Sequence, residues 1–294
     1  MGCDLVKFKE IYLEADQEIK EALVNILEEN GLEGWSWLDK GSRVGCLFYL
    51  PDDPKWRRKM KSIEKKVKEL EKYNLNPGKL ELKIEDISSS SWEKIIEEAE
   101  KPRQVLSDMW ITPPDYKGEI PEGEVILKMR SGMAFGTGDH ASTRLVLGYI
   151  KENLKASEKV LDIGTGSGIL ALTAGSLGAE KVVGIDNDPQ AVEIARENVA
   201  LNNLNNRVII NQGDLVSELE GQFDLILVNI LLPEILAVIP QLDKFSQKGS
   251  RLILSGLLSK QVPLIKEKAQ KSCWHIVDTS LDGEWAGVLL ERRE

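Results

Sequence analysis

Residues 160–168 read Val160-Leu161-Asp162-Ile163-Gly164-Thr165-Gly166-Ser167-Gly168, an apolar run that breaks into three glycines at alternate positions. The run predicts a buried strand, the glycines a tight loop, and Ile169 to Leu177 a helix that follows at once. Glycine lets the backbone turn sharply and approach a ligand without a Cβ clash. A strand–loop–helix unit of this kind opens an α/β sheet.

Outward from this unit, the pattern repeats. Apolar runs at Val182–Ile185, Arg207–Ile210, Leu225–Val228 and Arg251–Leu254 alternate with helical stretches. Short strands buried on both faces predict a parallel sheet flanked by helices. Trp274–Asp278 and Trp285–Leu290 are separated by only Ser280-Leu281-Asp282-Gly283, too little for a crossover helix. That last pair is therefore expected to be antiparallel. The fold class is α/β, a Rossmann-like seven-stranded domain.

The loop's spacing bears on its ligand. A dinucleotide site has G-x-G-x-x-G, whereas here the third glycine comes one residue early and Ile169 takes its expected place. Asp162 just before the loop would repel a pyrophosphate but suits a cofactor with a cationic amino-acid end. Gly164, Gly166, Gly168 and Asp162 thus favour S-adenosyl-L-methionine over NAD. The second strand ends in Asp186, about 20 residues on, where a ribose diol needs an acceptor. Asp214 follows the third strand and is placed to reach an adenine amino group. The fourth strand delivers Asn229 to the carboxyl edge of the sheet, where open α/β sheets bind ligands.

Upstream, the chain changes character. Leu5–Leu13 reads as a strand, Ala15–Glu29 as a helix, Trp35–Leu38 and Val44–Leu50 as a hairpin. A helix from Pro54 to about Tyr73 and a strand at Leu80–Ile84 complete β-α-β-β-α-β, the ferredoxin-like split unit. Ser90 followed by Glu93 fits a capping box for a short helix over Trp92–Glu100, with Pro102 just after it. Beyond it, Thr112-Pro113-Pro114-Asp115 and Ile120-Pro121 predict a loop-rich approach. The division is 1–87, a ferredoxin-like α+β domain; 88–102, a linker helix; and 103–294, the α/β domain.

Composition excludes several classes. No apolar run in the 294 residues reaches the roughly 20 residues of a membrane span, and the N-terminus lacks a signal-peptide pattern. Cys3, Cys46 and Cys273 are few and scattered, and His140 and His275 are the only histidines, so neither a disulfide frame nor a metal site is expected. The reading is a soluble cytoplasmic protein with reduced thiols. A net charge of −10 opposes general nucleic-acid binding and is compatible with a basic protein substrate. The helix over 55–72 departs from that acidity with nine Lys and Arg, from Lys55 to Lys72. It is either a solvated face or a weak contact for RNA or an acidic partner.

Met133-Ala134-Phe135-Gly136-Thr137-Gly138, followed by His140 and Thr143, closely resembles the signature of the ribosomal protein L-11 methyltransferases. The resemblance spans the chain: a small N-terminal domain, linker Trp92, this signature, the glycine loop, Asn229-Ile230-Leu231 and a closing Glu284-Trp285. It implies S-adenosylmethionine as donor, and the N-terminal amine and lysine side chains of a ribosomal protein as acceptors. By matched positions it implies that Thr143, Gly164, Asp186 and Asn229 contact the cofactor and that Phe135 walls the site. It also implies that the N-terminal domain holds the substrate protein. This chain departs from the pattern at Ile96-Glu97, at Pro114-Asp115 and at Ser142, where a threonine is usual.

Asn229 and His140 are the catalytic candidates. Asn229 is followed by Ile230-Leu231-Leu232-Pro233 and not by the Pro-Pro-aromatic turn associated with planar nitrogens, which favours an aliphatic amine. His140 is either a proton relay or a residue whose hydrogen bond shapes the loop. The alternatives are a methyltransferase acting on another protein, on RNA or on a small molecule, and a non-catalytic ribosome-assembly binding protein.

Overall fold

The computed structural model describes residues 8–32, 35–40, 43–73, 75–87, 101–119, 122–130, 138, 140–214, 216 and 219–293. The chain divides into two compact units, Met1–Ala99 and Glu100–Glu294.

The first unit runs β1 (Phe8–Asp16), α1 (Lys20–Glu29), β2 (Trp35–Lys40), β3 (Arg43–Pro51), α2 (Trp56–Glu69) and β4 (Glu81–Ile87). Its sheet has the order β2-β3-β1-β4 with every neighbour antiparallel. This is the split unit expected from the periodicities. Ile11, Leu13 and Ala15 alternate inward from β1 and meet Ile19, Leu23 and Leu27 from one side of the chain and Met60, Ile63 and Val67 from α2. Two starts differ from expectation. β1 keeps pairing as far as Asp16 opposite Arg43, so the ladder overrides helical spacing at Ala15 and α1 begins later, after a 3-10 turn. Asp53 accepts the amides of Lys55 and Trp56 at 2.6 and 3.1 Å, which delays α2 to Trp56. The basic residues of α2 lie outside its buried stripe of Met60, Ile63 and Val67. Lys66 pairs with Glu29 at 2.5 Å and Lys59 donates to the Gly31 carbonyl at 3.1 Å, while Arg57, Arg58, Lys61, Lys65 and Lys68 are exposed. The expected linker helix, with Trp92, Ile96 and Glu97, lies outside the described residues.

The second unit begins with a three-stranded sheet where a loop-rich approach was expected. β5 (Arg103–Leu106), β6 (Met109–Thr112) and β7 (Val125–Lys128) stand in that order. Met109, Ile111, Val125 and Leu127 point inward from four-residue strands too short to show an alternation beside the prolines. Pro114-Asp115 falls in the turn after β6, where the Tyr116 amide reaches the Pro113 carbonyl.

The main sheet follows: α3 (Ala141–Asn153), β8 (Lys159–Ile163), α4 (Ile169–Ser176), β9 (Lys181–Asp186), α5 (Pro189–Leu201), β10 (Val208–Gln212), β11 (Phe223–Asn229), α6 (Leu232–Val238), β12 (Ser246–Leu258), α7 (Val262–Gln270), β13 (Trp274–Asp282) and β14 (Trp285–Arg292). The order is β10-β9-β8-β11-β12-β14-β13, with β14 antiparallel to both neighbours and the other pairs parallel. The closing antiparallel pair is as expected. Successive strand residues go to opposite cores: Val160, Val182 and Leu225 pack with α3, α4 and α5, and Leu161, Val183 and Ile226 with α6 and α7. Burial on both faces explains the unbroken apolar runs. The order reverses between β8 and β11, and such a switch point opens a crevice at the carboxyl ends of the strands. No helix of the described residues is long and apolar enough to cross a membrane.

Candidate active site

The glycine loop sits at that switch point. Gly164, Gly166 and Gly168 have φ of 71°, 53° and 83°, left-handed values that side chains resist. A Cβ on Gly164 would stand 2.3 Å from Cγ2 of Ile230, and one on Gly168 3.2 Å from Cβ of Ala195. The amides of Gly164 and Thr165 both donate to the Ile185 carbonyl, at 2.8 and 2.9 Å, which ties the loop to the end of β9. Asn198 of α5, fully buried, donates to the Ser167 carbonyl at 2.9 Å and fixes the other side. The sequence reading missed Asn198, although its spacing from Ala191 and Ala195 puts a polar side chain on the buried stripe of α5.

Asp162 lies under this loop with no exposure. Its Oδ2 accepts the Thr165 hydroxyl at 2.6 Å, and its buried Oδ1 has no hydrogen-bond partner. Burial pushes the carboxyl up from 3.8 to about 7; the Thr165 hydrogen bond and the Ala171 amide oppose this, and the nearby Asp186 charge adds to it. A buried carboxyl so poised gains most from a cation beside it.

Asp186 ends β9, half-buried. One carboxylate oxygen accepts the Gly166 amide at 2.8 Å and the other the Asp188 amide at 3.0 Å. Each oxygen keeps a second lone pair for a ligand. Asp188 caps α5 through the Gln190 amide at 2.8 Å, with Pro189 at the first helical position. Asp214 is exposed, and the preceding Gly213 amide donates to the Asp186 carbonyl at 2.9 Å. The turns that carry Asp186 and Asp214 are thus joined.

Asn229 ends β11, buried, with its Nδ2 donating to the Thr143 hydroxyl at 3.4 Å. Its Oδ1 is buried without a partner. Thr143 is itself fully buried in the first turn of α3. In the parallel register of β8 and β11, Leu227 lies opposite Asp162 and Val228 opposite Ile163, so the two orphaned acceptors stand at neighbouring strand ends.

His140 caps α3. Its Nδ1 faces the Ser142 amide at 3.3 Å and the Ser142 hydroxyl at 2.7 Å, and its ring packs edge-on against Trp285 at 4.4 Å. These contacts make His140 the cap of α3, and Ser142 supplies the hydroxyl in it. Gly138 of the signature, at φ 95°, packs where a Cβ would come within 2.9 Å of Ile111 and 3.0 Å of Val105. Phe135 and the rest of residues 131–137 lie outside the described residues.

One element of the site was missed. Gly256, at φ 82° inside β12, lies so close to Ile230 that a Cβ would stand 2.1 Å from its carbonyl oxygen. The Asn229-Ile230 turn is therefore gripped between Gly164 and Gly256. A glycine inside a strand signals such an approach, and here it sat unnoticed between Ser255 and Leu257. Among the described residues no cluster of metal-ligating side chains occurs.

The family described as "Ribosomal protein L11 methyltransferase (PrmA)" matches residues 7–293. The chain is 29% identical to a "Ribosomal protein L11 methyltransferase" of Alkaliphilus oremlandii, over 97% of this chain and 98% of that protein. It is also 29% identical to a protein of that description from Caldanaerobacter subterraneus, over 98% and 100%. Among solved structures, a ribosomal protein L11 methylase from Lactobacillus delbrueckii is 31% identical, with a TM-score of 0.59 over 66% of this chain and 99% of that one. A methyltransferase from Pyrococcus furiosus, at 23% identity and a TM-score of 0.50, shares the fold. With a match that runs through both units, the chain belongs to the ribosomal protein L11 methyltransferase family.

Proposed function

We propose that this methyltransferase moves methyl groups from S-adenosyl-L-methionine to amino groups of ribosomal protein L11, its N-terminal amine and lysine side chains, in the cytoplasm. One observation carries the reading: two buried acceptors without partners, Asp162 Oδ1 and Asn229 Oδ1, stand at adjacent strand ends beside a glycine arch. An unmade buried hydrogen bond costs about 1–3 kcal/mol, so such a pair awaits donors. The names of the relatives support the acceptor.

The residues fit the cofactor. Asp162 would hold its cationic amino-acid end, through the acceptor that the fold leaves open. Asp186 would take the ribose diol with the lone pairs its amide partners leave, and Asp214 the adenine amino group. Gly164, Gly166 and Gly168 would admit the ligand against the backbone, and the family resemblance assigns Phe135 the role of a wall. When bound, the cofactor supplies a methyl group on a cationic sulfur.

The chain's work is then placement. In-line displacement needs the acceptor nitrogen about 3 Å from the methyl carbon. The amine must also be neutral, and desolvation at a buried edge lowers a lysine pKa from about 10.4. Asn229, steadied by Thr143, would accept an N–H of the amine through Oδ1 and aim its lone pair. His140 holds the α3 turn that carries Thr143. The N-terminal unit would hold the acceptor protein.

Calorimetric titration with S-adenosylmethionine and with NAD tests the cofactor. Saturable binding of the first with none of the second is expected. The reverse order would overturn the assignment.

A further inference from the structure

The hairpin of β13 and β14 grips the first turn of α3 at two points. Asp282 and Trp285 form the last pair of the ladder, joined by Gly283-Glu284 with Gly283 at φ 62°. From that tip the Asp282 carboxylate accepts Nε and Nη2 of Arg144, at 3.1 and 2.6 Å. Trp285 packs edge-on against His140 at 4.4 Å. Between the two gripped residues lies Thr143, whose hydroxyl is 3.4 Å from the Asn229 amide nitrogen. That distance is near the limit of a hydrogen bond, so a small drift of α3 would break it.

The hairpin is itself fixed. Ser255 of β12 donates to the Ala286 carbonyl at 2.9 Å. Gly287 lies so close to α3 that a Cβ would stand 3.0 Å from the Tyr149 ring. Farther along α3, the Tyr149 hydroxyl donates to Asp278 at 2.6 Å. Same helix, same hairpin, different end: Tyr149 is five residues past Arg144 and away from His140.

We propose that the Arg144–Asp282 pair is a positioning device for methyl transfer, holding the hairpin tip on the α3 turn so that Thr143 keeps Asn229 in its reactive orientation. The inference rests on the role given above to Asn229. A stability role accounts poorly for the pair. Both side chains are more than one-third exposed, 36% and 39%, and pairs of that exposure contribute little to folding. Its use lies in where it holds the chain.

The test compares Asp282→Asn, Asp282→Glu, the exchange Arg144→Asp with Asp282→Arg, and Tyr149→Phe as the control at the far end. For Asp282→Asn the expected result is a kcat loss of about tenfold, since an ångström of misplacement costs up to about a hundredfold. Its S-adenosylmethionine affinity should stay within about twofold, and its melting temperature should move by less than about 3 °C. Asp282→Glu and the exchange should recover most of kcat, and Tyr149→Phe should lose stability without losing kcat. Unchanged kcat in Asp282→Asn, or kcat losses that track melting temperature across the set, would overturn the proposal. If the wild type methylates no protein, the functional reading fails and the Trp285 indole NMR resonance judges the clamp alone. Movement in Asp282→Asn but not in Tyr149→Phe supports it; an unmoved resonance in both overturns it.

Discussion

The Asn229 side chain spends its amide nitrogen on Thr143, 3.4 Å away, and buries its carbonyl oxygen with no partner. β11 brings one residue and α3 the other, 86 positions apart in the chain. The geometry holds one end of the amide and leaves the other without a partner.

Asn229→Ala removes that acceptor and should lower kcat by about a hundredfold, the scale of a lost positioning contact. Asn229→Asp keeps the shape but exchanges the donor toward Thr143 for an acceptor, and should lose a similar factor. Single-turnover methyl transfer measures both. Intact binding and turnover in Asn229→Ala would remove Asn229 from the mechanism.

Asp162 makes stability depend on pH in an unusual direction for an acid. Its folded-state value, raised to about 7, lies above the ordinary 3.8, so the folded chain binds the proton more tightly than the unfolded chain. Below about pH 4 both states are protonated and nothing is lost; as pH rises from about 4 to 7, the cofactor-free chain loses stability, by on the order of 4 kcal/mol at most. Asp162→Asn lacks this loss. Urea unfolding of both proteins at pH 5.5 and 7.5 should show wild type falling relative to the variant. Parallel behaviour would contradict the argument.

A cation seated at Asp162 would return its pKa toward the ordinary range. Binding of S-adenosylmethionine near pH 6.5 should then release a proton, read as a dependence of the calorimetric enthalpy on buffer ionisation. Asp162→Asn should bind without that release, and equal release from both proteins would place the titrating group elsewhere.

Gly256→Ala places a methyl 2.1 Å from the Ile230 carbonyl oxygen, against rigid backbone and at a left-handed φ. The Asn229-Ile230 turn must shift, and kcat should fall at least tenfold, since placement governs the step. At Gly164 the nearest atom is the Cγ2 branch methyl of Ile230, 2.3 Å from an added Cβ and held on a stiff χ1, so Gly164→Ala is costly through this clash as well as through its φ of 71°. Comparing the crippled turnover of Gly256→Ala with its cofactor affinity, which should change less, checks the placement.

Asp186→Asn turns an NH₂ toward one of the two amides that the carboxylate accepts, those of Gly166 and Asp188. Cofactor affinity should fall about tenfold or more, since hydrogen bonds to a charged group are each worth about 1.5–3 kcal/mol. Unchanged affinity by titration would leave Asp186 as a turn residue only.

The sequence made the glycine loop and its acids legible because their spacing is local. Asp162, Gly164 and Gly168 are fixed by one strand and one turn, and Asp186 follows one helix later. Burial on both faces likewise showed the parallel strands as unbroken apolar runs. What stayed hidden was long-range or short. Arg144 meets Asp282 across 138 residues, and no local pattern announces that pair. β5, β6 and β7 have four residues each, too few to display a period. Gly256 disappeared inside an apolar strand whose regularity masked the close approach of Ile230.

The central claim is methyl transfer to protein amino groups, and intact-mass spectrometry tests it most directly. The purified chain would be mixed with S-adenosylmethionine and ribosomal protein L11 from the same host. The expected result is growth of the acceptor mass in steps of about 14 Da, a methyl gained from the cofactor for each proton lost from nitrogen. An acceptor of unchanged mass, with S-adenosylmethionine bound to the enzyme, would contradict the assigned acceptor.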